Sequence, residues 1–368
     1  MTRSIQDIER DFPVESITCN GEQVWPFVRI YAGAKLSADL DAVKVNSSVI
    51  KLLLKSFFYG FFNLFKRYDY LFFSSTDQRR INGTLYVDKS VDEVAQQLGK
   101  SLVIENPVIA HIPRSKLKNK AVASKSFFYL LVQLYSYFLK NCKIENEELL
   151  QKILKEHNIQ IDYKAIIKRN RAQYKVARLL YKWFRPKAVF IVCYYTHTGL
   201  IKAMKELGVK TIEIQHGLIN QSHVAYNIAR ELDSNYFPDY LLTYGENEVR
   251  VFQEGNYFMD SSRVIPVGHQ YLDYLSHSGI IDEQFIRLTA GYKKIVSVTG
   301  QNHYIEAELL RFLIESAKLN PENVYVYIPR HITNDYSSYS FPQNIVFANW
   351  LNCYEIMSQS HIHSTVYS

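Results

Sequence analysis

From Ala188 onward the chain repeats one pattern: a short apolar run, a polar turn and a stretch of helical period. Ala188-Val-Phe-Ile-Val-Cys193 has no charged or strongly polar position, which suits a strand covered on both faces. Residues 198–207 read as a helix stopped by Gly208, 210–214 as the next strand, and 240–243 as a third. Residues 246–253 follow as a helix and 263–267 as a fourth strand, closed by Gly268. Strands joined through helices at this spacing run parallel, because parallel pairing needs a crossover connection. A second series begins at Lys293, with strands at 294–298, 323–328, 344–347 and 361–363 and helices at 305–318 and 353–358. Two open parallel sheets are expected, with the boundary near 275–289. A doubly wound domain would continue into a helix after Thr365, so the second array is expected to be short or truncated at Ser368.

Open sheets of this kind bind ligands outside the carboxyl ends of their strands, which gives the residues after each run a shared meaning. The first array ends its strands in Tyr195-Thr196-His197, Gln215-His216-Gly217, Tyr244-Gly245 and Gly268-His269. The second ends in Thr299-Gly300-Gln301, Arg330-His331 and His363-Ser364-Thr365. Glycine at such turns lets backbone N–H groups approach an anion, and a following helix N-terminus adds a favourable dipole. Arg330 offers a guanidinium fork for phosphate, Ser364 and Thr365 offer hydroxyl donors, and His331 or His363 could neutralise a leaving diphosphate. Strand ends are rich in Gly, Ser and Thr simply because they turn. The pointer to a ligand is therefore the set, repeated on two arrays. There is no P-loop, no GxGxxG and no HExxH, so ATPase, NAD and zincin readings have no support. Asp39-Leu40-Asp41 reads as a helix start more than as a metal site.

The N-terminal half is less regular, with strands expected at 15–19, 70–74 and 102–105 and helices at 49–66, 126–140, 145–155 and 163–184. At 368 residues the chain is long for one core, and two domains are expected. Its most apolar window, SFFYGFFNLF at 56–65, is shorter than the roughly 20 residues that span a bilayer. It reads as a buried helix, with an interfacial helix as the alternative. The net charge of +7 is unevenly spread: residues 106–143 and 163–205 contain no acid. Lys168, Arg171, Lys175, Arg178 and Lys182 recur at helical steps, a stripe that is either a solvated face or a contact for an anionic membrane surface. No zinc-finger, RRM or KH signature is present, and no nucleic-acid partner is expected. Cys19, Cys142, Cys193 and Cys353 are far apart, form no CxxC pair and read as reduced thiols in a cytosolic protein. The first residues show no apolar signal segment.

Four stretches carry a resemblance to a known group. They are Ile214-Gln215-His216-Gly217, Tyr240-Leu-Leu-Thr-Tyr-Gly245 before a helix, Val264-Ile-Pro-Val-Gly268 with Tyr271-Leu-Asp273, and His361-Ile-His-Ser-Thr365. In order and spacing, residues 188–368 resemble the GT-B glycosyltransferases of bacterial surface-polysaccharide assembly (capsule and lipopolysaccharide). More distantly they resemble CDP-glycerol glycerophosphotransferases and UDP-GlcNAc 2-epimerases. The resemblance implies an α/β fold of two Rossmann-like domains with a helix-rich N-terminal part. An acceptor-side domain would cover 1–275 and a nucleotide-sugar domain 290–368. It implies sugar transfer from a nucleotide-activated donor to a glycan or lipid-linked acceptor, without metal or other cofactor, in the cytoplasm or on the inner membrane face. Thr299, Gly300, Gln301, Arg330, His331, His363, Ser364 and Thr365 would hold the donor phosphates. His197, Gln215, Gly217 and Gly268 would line the cleft, with Gly217 permitting the turn. Asp77 is the preferred base, and His216, whose ordinary pKa is about 6.5, is the second catalytic candidate. Two departures stand out: Pro329-Arg330-His331 replaces a His-Pro pair, and the chain stops before the helix that usually carries a donor-binding carboxylate. A nucleotide-sugar epimerase and a non-catalytic membrane-surface assembly protein are the alternatives.

Overall fold

Seven apolar runs pair into one parallel sheet in the computed structural model, which describes residues 4–36, 47–108, 110–278, 282–300, 303–329, 335–348, 350–351 and 353–365. Across the sheet lie Val264–Pro266, Tyr240–Thr243, Lys210–Ile214, Ala188–Val192, Tyr70–Ser75, Ser101–Asn106 and Val122–Ser124, all parallel. Counted along the chain this order is 7-6-5-4-1-2-3. The winding therefore reverses between Tyr70–Ser75 and Ala188–Val192, and such a switch point opens a crevice at the carboxyl ends. Ala188–Val192 is buried at every position, and Phe190 stacks on Phe72 of the neighbouring strand at 4.5 Å. Helices Ser126–Phe138, Tyr163–Phe184 and Thr198–Glu206 contribute to the core beside it.

The chain forms two units, Met1–Arg79 with Asp88–Gln270, and Arg80–Val87 with Tyr271–Ser368. In the second, Lys294–Thr299, Asn323–Ile328, Ile345–Phe347 and Ile362–Ser364 make a parallel sheet of order 3-2-1-4. Its reversal falls between Lys294–Thr299 and Ile362–Ser364. The protein is thus α/β, with a Rossmann-like parallel sheet in each unit. Among the described residues no helix is long and apolar enough to cross a membrane.

The N-terminal helices Ile5–Asp11 and Trp25–Leu36 form a second core in the first unit. The buried Arg29 guanidinium sits 2.6 Å from Glu9 and donates to the carbonyls of Val224 and Asn227 at 2.5 and 2.7 Å. Glu9 also accepts from Trp25 Nε1 and from the Ala229 amide. These bonds fix the excursion that follows the Gln215-His216-Gly217 strand end.

Two expectations are corrected. The apolar window at 56–65 is not a buried helix: helix Ser47–Ser56 ends, and a 3₁₀ turn, Phe61–Phe65, follows Gly60. Gly60 has φ +66, and a Cβ there would come 1.9 Å from the Val122 carbonyl oxygen, so only glycine lets this turn lie on the edge strand. Tyr59 O and Asn63 Nδ2 then satisfy backbone groups of that strand, leaving Phe58, Phe62 and Phe65 exposed. The cysteines are not all free. The pairing of Cys19 opposite Ile144 brings Cys142 within reach, and Cys19 and Cys142 form a disulfide with Cα atoms 6.0 Å apart. Sequence spacing cannot show this, because the two cysteines are 123 positions apart. Two residues of the basic stripe meet partners at the surface. Arg178 lies 3.3 Å from Glu206, and Arg171 donates to the Lys140 carbonyl at 3.1 Å.

Candidate functional site

At the first switch point the strand Tyr70–Ser75 runs into a 3₁₀ turn, Thr76–Gln78. Asp77 is exposed there and accepts from Ser75 Oγ and, at 3.0 Å, from Gln78 Nε2. Across the crevice, Ala188–Val192 ends at Cys193, which has φ +63, a left-handed conformation costly for a residue with a Cβ. That turn sets Cys193 Sγ 3.0 Å from His216 Nε2. Burial pushes the Cys193 thiol up to about 12, so it stays protonated at neutral pH. Burial, with His223 and Lys89 adding to it, pushes His216 down to about 4, against the opposing pull of Asp77. The imidazole is therefore neutral, and its buried Nδ1 has no hydrogen-bond partner among the described residues.

Beneath this rim lies a bed of buried charge. Arg79 donates from Nε to Glu105 at 2.6 Å and from Nη1 to Asp92 at 2.8 Å. Burial works against the Glu105 carboxylate, yet hydrogen bonds and charge from His111 and Arg79 outweigh it and hold its pKa below the usual value. His111 bridges Glu105 and Ser124 at 2.8 and 2.9 Å, with Tyr59 stacked flat on it at 3.9 Å. Asp92 is pushed up to about 7 by burial, only partly relieved by Arg79. Asp88 accepts from Ser74 Oγ at 2.6 Å and from the Ser90 amide at 2.9 Å. Ser90 in turn donates to Gln78, the residue that holds Asp77.

A second pair supports the Cys193 turn. Lys125 Nζ lies 2.8 Å from His197 Nε2. Burial first, then the charge of Arg169, pushes Lys125 down to about 7 and, with Lys125 itself, holds His197 well below its usual value. Nε2 then accepts from the lysine, and Nδ1–H faces Thr196 Oγ1 at 2.8 Å and the Cys193 carbonyl at 3.3 Å. On the adjoining strand Glu213 is fully buried, accepting at Oε1 from the Tyr194 amide and Tyr226 hydroxyl. Its Oε2 is unpartnered among the described residues, and burial raises the carboxyl to about 8.

The strand-end residues singled out in the sequence thus separate. Asp77 and His216 come together at one crevice. His197 does not line it: the side chain is buried on Lys125. Gln215 is also inside, bonded to Gly217 O, Glu248 and the Tyr244 amide. Gly217 is not needed for the turn, since its φ is not positive and a Cβ would meet nothing within 4 Å. Gly268 has φ +78 and precedes helix Gln270–Ser278. Sequence reading passed over Cys193, Lys125, Glu105 and Glu213 as site residues. A carboxylate inside the apolar-flanked strand Lys210–Ile214 was the available signal for Glu213.

At the second switch point the register sets Val298 opposite Ser364, so Thr299-Gly300 and Ser364-Thr365 leave neighbouring strands side by side. Gly300 N–H is tied to the Ile328 carbonyl at 2.7 Å. The helix His303–Leu319 begins just beyond this turn, and the dipole at a helix N-terminus favours an anion. Glu306 in its first turn accepts from the hydroxyls of Tyr327 and Tyr336, both at 2.7 Å. His363 Nδ1 lies 2.9 Å from Ser297 Oγ, and burial lowers its pKa. Gln301, Arg330 and His331 lie outside the described residues, as do Asp39 and Asp41. A separate cavity of about 440 Å³ in this unit is lined by Asp282, Phe285, Trp350 and Gln359 among others, and by none of the residues chosen from the sequence. Among the described residues no group of His, Cys, Asp and Glu could hold a metal ion.

No family model matches the chain, and no curated protein matches it in sequence. Solved structures that match include UDP-GlcNAc 2-epimerase from Neisseria meningitidis bound to UDP-GlcNAc, 15% identical over 80% of this chain and 77% of that one, with a TM-score of 0.43. The MnaA–UDP structure from S. aureus is 10% identical over 81% and 73%, TM-score 0.46. CalG4, the calicheamicin glycosyltransferase, is 11% identical over 82% and 74%, TM-score 0.43. Likeness at this level transfers neither ligand nor reaction, and the fold assignment rests on the two parallel sheets themselves.

Proposed function

We propose that the protein is a GT-B-type glycosyltransferase that takes a sugar from a nucleoside-diphosphate donor to a hydroxyl of a glycan or lipid-linked acceptor. The observation that carries this reading is that each unit has a switch point with chemistry of its own. The second unit offers hydroxyls and a helix N-terminus suited to a diphosphate. The first offers a carboxylate held by two donors beside a neutral imidazole.

In this reading Thr299, Gly300, Ser364 and Thr365 bind the diphosphate. The acceptor oxygen forms its bond to the anomeric carbon as the bond from that carbon to the phosphate oxygen breaks. The acceptor proton passes to Asp77, and the nucleoside diphosphate leaves with the bonding pair, its charge met by N–H and O–H donors. Asp77 suits the base role better than His216 for a physical reason. Asp77 stands exposed at the crevice rim, whereas burial depresses the His216 imidazole as a base. His216 instead orients a hydroxyl through Nδ1.

The test is a thermal-shift screen of the full chain against CMP, CDP, UDP, GDP and TDP. A ligand at about a hundred times its Kd stabilises by about 2.7 kcal/mol, a clear rise in Tm. One nucleoside diphosphate should give that rise, and Ser364→Ala with Thr365→Val should remove it. No rise with any of the five overturns the donor assignment.

A further inference from the structure

We infer that the first unit docks on an anionic lipid bilayer through an aromatic face rimmed by lysine and arginine. This goes beyond the proposed transfer reaction and does not depend on it. Three segments build the face: the turn after Ser47–Ser56, helix Ser126–Phe138 and the last turns of helix Tyr163–Phe184. Phe58, Phe62, Phe65 and Trp183 are 74%, 80%, 60% and 62% exposed, although each is among the most costly side chains to leave in water. They are also continuous. Phe61 joins Phe58, Phe62 and Phe65 at 5.8, 6.3 and 5.2 Å, and Phe65 meets Trp183 at 6.0 Å. Between them and helix Ser126–Phe138 runs an apolar groove of about 250 Å³, and on that helix Phe127, Leu131, Leu134 and Phe138 recur at helical spacing.

The occupant follows from charge. Residues 47–68, 126–143 and 163–187 together carry fifteen lysines and arginines and no Asp or Glu. Some are spent internally: Arg178 on Glu206, Lys164 on Glu147 and Lys187 on Asp69. Lys55, Lys66, Arg67, Lys175 and Lys182 remain exposed beside the aromatic residues. A second copy of this chain meets the face badly, because a two-fold contact sets the same cations against each other. An anionic bilayer meets both parts, with rings entering the headgroup boundary and cations facing its negative surface.

The test mixes the full chain with vesicles of phosphatidylglycerol and phosphatidylcholine, or of phosphatidylcholine alone, at low salt. Sedimentation and tryptophan emission are read together. Binding should need the anionic lipid, fall at least about fivefold between roughly 0.05 and 0.5 M salt, and shift Trp183 emission to the blue. Phe58→Ser with Phe62→Ser should weaken binding by about tenfold or more, and Lys175→Glu with Lys182→Glu by about fivefold, each with an unchanged melting curve. Both pairs are exposed, so either one can decide the matter should the other fail to fold. Absence of binding, binding indifferent to both pairs, or a dimer that Phe58→Ser with Phe62→Ser dissolves in the absence of lipid binding would overturn the inference.

Discussion

At the first switch point Asp77, Cys193 and His216 rest on buried charge, with Arg79 between Asp92 and Glu105 and Lys125 against His197. At the second, Thr299, Gly300, Ser364 and Thr365 stand at the ends of paired strands, Gly300 N–H is tied to the Ile328 carbonyl, and Tyr327 and Tyr336 donate to Glu306 in the first turn of the next helix. Both ends lie where the winding of a parallel sheet reverses, yet buried charged side chains pack beneath the first while hydroxyl-bearing residues gather at the second. Buried ion pairs add little net stability because desolvation cancels most of their attraction, but removing one partner is expensive. The difference teaches that the first end is held in one geometry by charges that cannot part. In the proposed reading the second end takes a ligand that brings its own charge.

The sharpest way to break this contrast is Arg79→Met. It leaves Glu105 and Asp92 buried without their cation and should cost about 3–5 kcal/mol in urea unfolding. A loss below about 1 kcal/mol would mean that the charged bed is no more binding than a surface pair.

Glu213 tests the same end through pH. Burial holds its carboxyl neutral and raises it to about 8 from an ordinary 4.5. The stability that the neutral form contributes is complete below the ordinary value and is lost as pH rises through about 8. Wild-type unfolding free energy should therefore fall by about 3 kcal/mol more than that of Glu213→Gln between about pH 5 and pH 9. Parallel curves for the two proteins would show that Glu213 ionises freely in the fold.

Asp77→Asn addresses the chemistry and leaves the scaffold alone. With the donor found by melting, transfer should slow by about a hundredfold, while the nucleotide-induced rise in Tm stays as it was. An equal loss of nucleotide binding would place Asp77 on the donor and not on the acceptor proton. The smallest effect belongs to the second end. Ser364→Ala should weaken nucleoside-diphosphate binding by about 1 kcal/mol, seen by calorimetry, with unfolding nearly unchanged.

Much of this is legible in the sequence. The unbroken apolarity of Ala188–Val192 and the polar residues after each later run marked both parallel sheets and their carboxyl ends. Which polar residue faces the crevice was not legible, and Gln215-His216-Gly217 shows why. The three are adjacent and alike in promise, yet Gln215 turns inward to Glu248, Gly217 serves no conformational need, and only His216 keeps a nitrogen without a partner. A strand alternates its faces, and the register of its neighbours decides which face is wet.

Sequence alone determined the period of strands and helices, the absence of acids along three segments and the placing of glycine and hydroxyl residues at strand ends. These follow from local hydrophobicity and backbone preference, which act over a few residues. Tertiary structure alone decided that Arg79 meets Glu105 across 26 residues, Lys125 meets His197 across 72 and Cys19 meets Cys142 across 123. It also decided that the phenylalanines after Ser56 stand outside the core. Such contacts depend on how sheets wind and which surfaces remain uncovered, and burial then sets the charge state of each group it encloses.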